Sequence, residues 1–246
     1  MPNFKLDISF DGTNYFGWQI QKNKRTVQGD ITDAFRKVIK NEKYNLIGSG
    51  RTDSGVHANH QIANIFLDTD LNASEIKNAI NANTNKDIHI NSCTEVDEEF
   101  NSRFSAIKRE YFYRIVTKYN PIYRNYKWFL NHDIDISKLN SCSKLILGDN
   151  DFSAFCKATS LKENNYCIIY KSKWILKENQ LIYTIKANRF LHHMVRYLVG
   201  TMVEIARGRY EFEDFKDLIK YPKENVHVIK APPQGLILTN VDYEIN

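Results

Sequence analysis

The 246-residue chain is 42% hydrophobic and 13% aromatic, with 34 basic and 29 acidic residues that leave a net charge of +5. That length buries one large core or two modest ones, and such mild basicity permits a polyanionic partner without demanding one. Cys93, Cys142, Cys156 and Cys167 show no C-x-x-C spacing, which argues against a structural zinc site and a disulfide framework, and no apolar run approaches the roughly 18 to 20 residues of a membrane span.

The opening Met-Pro-Asn-Phe-Lys runs straight into an alternating pattern instead of a basic-then-apolar leader, so the expected location is cytoplasmic. Phe4, Leu6, Ile8 and Phe10 alternate with polar residues and predict a half-buried strand. Val27, Ile31, Ala34, Phe35, Val38 and Ile39 recur at helical spacing, with Thr26 placed to cap. A strand over 61–67, a short helix over 74–81 and a strand around Ile88 and Ile90 complete an α+β first half. The second half repeats the grammar: a strand at 111–116, a helix over 136–147, and a strand over 181–187. The longest helical stripe, Leu191, Val195, Leu198, Met202 and Val203, follows, then a shorter one at Phe212, Phe215, Leu218 and Ile219, and a last strand over 237–243. Two domains are expected, 1–104 and 105–246. Lysine-rich stretches at 22–25, 37–43 and 171–177 read as solvated faces.

One window concentrates reactive residue types: Gly48-Ser49-Gly50-Arg51-Thr52-Asp53-Ser54-Gly55 holds three of the ten glycines, and His57 follows. Such density implies a sharply turned or closely approached backbone, and constrained loops are common seats for site residues. A plain Arg51–Asp53 surface pair on a glycine-rich turn is the competing structural reading. Phosphate cradling is disfavoured, because neither G-x-x-x-x-G-K-[ST] nor G-x-G-x-x-G is present. His57, His60, His192 and His193 do not form a convincing metal set. His192 and His193 would point about 100° apart on a helix, and H-E-x-x-H is missing. No metal and no cofactor is expected.

Gly50-Arg51-Thr52-Asp53-Ser54-Gly55-Val56-His57-Ala58 resembles the catalytic loop of the TruA family of transfer-RNA pseudouridine synthases, in which the aspartate of the Arg-Thr-Asp triplet is catalytic. Further blocks agree in order. They are Asp11-Gly12-Thr13-Asn14-Tyr15-Phe16-Gly17-Trp18-Gln19, Thr26-Val27-Gln28, Lys108-Arg109-Glu110-Tyr111-Phe112-Tyr113, Asp151-Phe152-Ser153-Ala154-Phe155, Phe190-Leu191-His192-His193-Met194-Val195-Arg196 with Gly200, and Ala231-Pro232-Pro233-Gln234-Gly235-Leu236. The similarity runs from about residue 3 to 244. It departs at Cys167-Ile168, where an Arg-Thr pair is common, and at Ser54, where alanine is frequent.

The resemblance implies a pseudouridine synthase fold of two α+β domains with mixed or antiparallel sheets and RRM-like halves, meeting in an active-site cleft. It implies an isomerase acting on uridines 38, 39 and 40 of the tRNA anticodon stem-loop, as a homodimer. By the same resemblance Asp53 is nucleophile or base, Tyr111 stacks on the target base, and Leu236 occupies an apolar pocket position; Arg196 is expected to pair with Asp53, and Arg51 to aid base flipping. The alternatives are a paralogue acting at another RNA site, and a non-catalytic RNA-binding protein whose 14 tyrosines and 14 phenylalanines serve as stacking platforms. The latter leaves unexplained an aspartate at the centre of the loop, where a carboxylate repels phosphate.

Overall fold

A computed structural model describes residues 1–39, 44–223 and 226–244; part of the lysine-rich stretch 37–43 lies outside them. In chain order the elements are β1 (Asn3–Phe10), α1 (Val27–Val38), β2 (Ile47–Gly48), β3 (His57–Phe66), α2 (Ala73–Asn83) and β4 (Ile88–Val96). They continue with β5 (Ala106–Val116), β6 (Trp128–Phe129), α3 (Ile136–Leu145), β7 (Gly148–Asp151) and β8 (Tyr166–Lys177). The last are β9 (Gln180–Ala187), α4 (Met194–Ala206), α5 (Phe212–Lys220) and β10 (Leu236–Tyr243). The chain divides into two compact units, one of residues 1–107 with 237–246 and one of residues 108–236. Both combine a sheet with flanking helices, so the architecture is α+β.

In the first unit the strands run β4-β1-β3-β10. β1 is antiparallel to β3 and β4, while β10 joins β3 in parallel through Ile237↔His57 and Leu238↔Ala58. The last strand therefore belongs to the first unit, whereas sequence order placed it with the second half. Leu6, Ile8, Ile31, Phe35, Ile65, Ile76 and Ile80 fill the core. Thr26 caps α1 by accepting the Gly29 N–H, and Asn72 with Glu75 forms a capping box on α2. Polar groups also enter this core as a closed set. Asn64 donates to Asn3 Oδ1 at 3.0 Å and accepts the Ser102 N–H at 2.9 Å, while Asn3 donates to the carbonyls of Asp97 and Phe100, both at 2.9 Å. The segment leaving β4 is thereby tied to β1 and β3.

In the second unit the order is β5-β9-β8-β7, antiparallel throughout, with β6 added in parallel to β5. Glu178 and Asn179, at φ 50° and 63°, make the two-residue turn between β8 and β9, a conformation that matches the twist of a hairpin. β8 was not expected, because its lysines read only as a solvated stretch. Helices α3 and α4 pack on each other, and Trp174 of β8 points at α4, its indole N–H 3.4 Å from Met202 Sδ. Twelve of the thirteen residues of α4 are buried, as befits a helix that is apolar nearly all round. The helix starts at Met194, so Leu191 and both neighbouring histidines precede it.

Truncating Asn64 to Ala removes the acceptor for a buried N–H and the donor for Asn3. An expected loss of about 2 to 3 kcal/mol in unfolding free energy is measurable by urea titration; a change below about 0.5 kcal/mol, the range of inert surface substitutions, would show the network to be dispensable.

Candidate active site

The Asp53 loop is held chiefly by main-chain atoms. The Trp18 N–H donates to Thr52 O at 3.2 Å, and the Gly55 N–H and Ser54 Oγ donate to Tyr15 O at 3.2 and 3.1 Å. The Val56 N–H closes the turn onto Asp53 O at 3.1 Å. Contact this close requires residues without side chains. At Gly17, φ is +87° and an added Cβ would lie 2.5 Å from Thr52 O; at Gly12 it would overlap the Val56 carbonyl. The glycines within the window differ in role. Gly55 adopts φ +77°, Gly48 abuts the Trp18 indole, and a Cβ on Gly50 would meet nothing within 4 Å. The 12–18 segment thus explains the Asp-Gly-Thr-Asn-Tyr-Phe-Gly-Trp block as the seat of the loop.

That seat is anchored in turn. Tyr15 is buried, its hydroxyl 3.0 Å from Asp30 Oδ2 and 2.7 Å from Arg25 Nη2, and the Arg25 guanidinium lies 4.3 Å from the Tyr15 ring centre. Arg25 also pairs with Asp30 at 3.0 Å and Asp87 at 3.3 Å, and Asn85 donates to Asp30 at 2.9 Å. Burial first, then the hydrogen bond that the hydroxyl donates to Asp30, pushes the Tyr15 hydroxyl far above its ordinary pKa. It is therefore a neutral, fixed member of the set. Arg25 closes the stretch 22–25 that reads as a solvated face, yet it pairs with Asp30 and Asp87; Asp30, unremarkable in pattern, gains its meaning once α1 brings it to Tyr15.

Of the expected residues in this unit, Asp53 is half-buried and Arg51 is exposed. Arg51 makes no ion pair among the described residues, so the simple Arg51–Asp53 pair does not form. His57 opens β3 and is buried. Its Nδ1 accepts the Gly12 N–H at 3.0 Å and lies 3.1 Å from Asp11 Oδ1, so it ties the preceding turn to the sheet. The buried Thr52 hydroxyl, one residue from Asp53, has no hydrogen-bond partner among the described residues. Such a group costs about 1 to 3 kcal/mol.

The second unit positions the other three. Tyr111, on β5, is buried and meets Phe190 edge-on, with ring centres 5.2 Å apart. Arg196 sits in the first turn of α4, buried, with Nε donating to Ala231 O at 2.9 Å while the Ala231 N–H donates to Arg196 O at 3.0 Å. An added Cβ on Gly200 would overlap the Ile229 carbonyl. Tyr113 Oη donates to Pro232 O at 2.7 Å, and Gly235 lies against the Tyr113 ring. Burial lifts the Tyr113 hydroxyl well above its usual pKa, opposed in part by the Arg196 charge. Residues 229–235 are thus strapped across α4 and β5, and buried Leu236 follows directly. The helical separation expected of His192 and His193 does not hold. His193 is in the left-handed region at φ 67°, and the two ring centres are 4.1 Å apart.

Cys167 and Ile168 lie on β8, and the position is not without a guanidinium. Arg189 donates to Tyr166 O at 3.1 Å and Asn164 O at 2.7 Å, beside the Cys167 thiol, which burial pushes up to about 11.

Residues 8–105 and 142–244 match a family described as tRNA pseudouridine synthase. The chain belongs to this tRNA pseudouridine synthase family. Its relatives include tRNA pseudouridine synthase A of Pseudothermotoga lettingae, 35% identical over 246 residues and covering 99% of this chain and 100% of the relative. The protein of the same name from Thermoanaerobacter sp. (strain X514) is 36% identical over 245 residues, and that from Listeria monocytogenes serotype 4b is 34% identical over 248, each covering 99% of this chain and 100% of the relative. Members of this synthase family are isomerases. Arg51, Asp53, Arg196 and Leu236 fall inside the matched segments and Tyr111 outside them.

For a synthase of this kind the pinned loop makes a direct demand on Gly17. Gly17→Ala should lower kcat for pseudouridine formation about 100-fold, the scale of an ångström of misplacement, with the far-ultraviolet circular dichroism of the parent. Parental turnover in that variant would show that the close approach does not position the loop.

Proposed function

We propose that the protein isomerises uridine to pseudouridine at positions 38 to 40 of the tRNA anticodon stem-loop, in the cytoplasm, as a homodimer and without a cofactor. The reaction breaks the C–N glycosidic bond, turns the freed uracil and rejoins it to the ribose through carbon. There is no net redox change and no energy input, so the chemistry asks for a positioned carboxylate, a hold on the loose base and a means of extruding the nucleotide. The observation that carries the reading is a carboxylate, Asp53, at the centre of a loop fixed by main-chain bonds to Trp18 and Tyr15.

In this reading Asp53 acts as nucleophile or base, in either role as the ionised carboxylate. An ionised carboxylate removed from water needs a cation, and Arg196, whose direction is set by Ala231, is assigned to it. Tyr111 offers a flat ring to the uracil and a hydroxyl for a polar contact. Arg51, exposed and outside any ion pair among the described residues, takes a phosphate or the space vacated by the extruded base. Leu236 supplies apolar packing around the base.

Release of tritium from uridine-labelled tRNA tests the activity, and mapping the product locates the modified positions. Asp53→Asn is expected to abolish release while tRNA affinity stays within about tenfold, the pattern of an interaction made in the transition state; comparable turnover would remove Asp53 from the mechanism. Tyr111→Phe should keep stacking, whereas Tyr111→Ala should forfeit about 1 to 3 kcal/mol of it. A Tyr111→Ala enzyme as fast as the parent would sink the stacking role.

A further inference from the structure

The sheet of the second unit has two unlike faces. Tyr111, Tyr113 and Ile115 of β5, Leu181, Tyr183 and Ile185 of β9 and Trp174 of β8 point to the buried, helix-covered side. Arg114, between two of them, points to the other side. There it stands in register with Ile182 of β9, and one step along, Lys177 of β8 stands in register with Gln180. Behind them the segment after β5 brings up Tyr123, Tyr126 and Lys127, with Lys127 Nζ 4.0 Å from the Tyr123 ring centre. These groups line a concavity of about 390 Å³. Three cations face one carboxylate, that of Glu178 on the hairpin turn. Neither Arg114, Lys127 nor Lys177 makes an ion pair among the described residues.

Unpaired cations beside two half-exposed tyrosine rings suit a strand of nucleic acid, whose phosphates take the charge and whose bases or riboses lie on the rings. A second copy of the chain docked by two-fold symmetry on this patch would set the same cations against one another, so charge favours RNA. We propose that this groove is an RNA-binding site that engages a part of the tRNA other than the stem-loop carrying the reacting uridine. The inference rests on the proposed tRNA activity for its ligand. Because Arg114 and Tyr111 sit on opposite faces of one strand, a uridine held at Tyr111 leaves the groove to a separate stretch of the same RNA.

The test replaces Arg114, Lys127 and Lys177 with Ala in the full chain, with Lys127→Glu/Lys177→Glu as a second variant should the first not fold. Affinity for an unmodified tRNA transcript and for the isolated anticodon stem-loop is measured between about 50 and 200 mM salt, the range over which phosphate contacts weaken steeply. The triple variant is expected to bind the transcript about tenfold or more weakly at low salt. Its log–log salt slope should be shallower by about two, near 0.7 to 0.9 per lost contact. KM for the transcript should rise with kcat within about twofold, and turnover of the stem-loop should match the parent. Parental affinity for the transcript overturns the site, as does an equal loss on the stem-loop or a change of oligomeric state in place of RNA affinity. A parent that modifies no uridine in the stem-loop would defeat the proposed activity instead, and the transcript affinities would still decide for or against the groove.

Discussion

The fit of residues 12–18 against 52–56 is the constraint that sets the position of the Asp53 loop. A carboxylate on a loop is ordinarily free to wander, and misplacement by an ångström costs orders of magnitude in rate. Here the loop borrows the rigidity of its neighbour through main-chain bonds at Thr52 and Gly55 and the Ser54 hydroxyl bond to Tyr15 O, and Gly12 and Gly17 let the two backbones touch. Buried Tyr15 and Trp18 plug the seat, and the Arg25–Asp30 pair fixes the Tyr15 hydroxyl. Asp30 lies in the first turn of α1, where the helix dipole favours a negative charge, so one carboxylate serves both the helix and the seat.

The second unit uses the same device with different parts. Residues 229–235 lie across α4 and β5, admitted at Gly200 by the lack of a side chain and locked by reciprocal bonds between Arg196 and Ala231. A guanidinium held at Nε has its remaining N–H groups aimed, which is what a partner for a carboxylate or phosphate requires. The Ala-Pro-Pro-Gln-Gly run therefore acts by backbone geometry. Its prolines have no N–H to satisfy, and its glycine yields to the Tyr113 ring.

Legibility in the sequence followed the regularity of the underlying pattern. The alternation of β1 and β9 and the stripe of α1 gave their elements directly, because one face of each is solvated. β8 stayed hidden for a physical reason. A bulge between Ile169 and Lys171 turns Tyr170 and Lys171 both outward, which breaks the alternation and lets the lysines of its wet face dominate. The parallel pairing of β10 with β3 could not be read from order along the chain, since it joins residues some 180 positions apart. Among the site residues, the 50–58 motif singled out Asp53 and Arg51, but three clustered glycines looked alike where only the structure separates a crowded Gly48 from an open Gly50. The histidine pair misled because both residues precede α4 and His193 is left-handed, so the helical geometry that the spacing assumed does not apply to them.

Burial also decides which thiols and phenols of the chain stay in their neutral, unreactive forms. Burial pushes the Cys93 and Cys167 thiols up to about 11 and that of Cys142 up to about 12, and it raises Cys156 in the same direction. A raised thiol pKa keeps the proton on at neutral pH, and the protonated form is the unreactive one. Tyr113 and Tyr183 are likewise lifted by burial and stay as neutral hydroxyls bonded to Pro232 and Ser172. The core thus silences its thiols and phenols by removing them from water, while Asp53 stays half-exposed on a loop bonded to Tyr15 and Trp18. What the fold gives this loop is position, and the glycine-admitted contacts at residues 12 and 17 provide it.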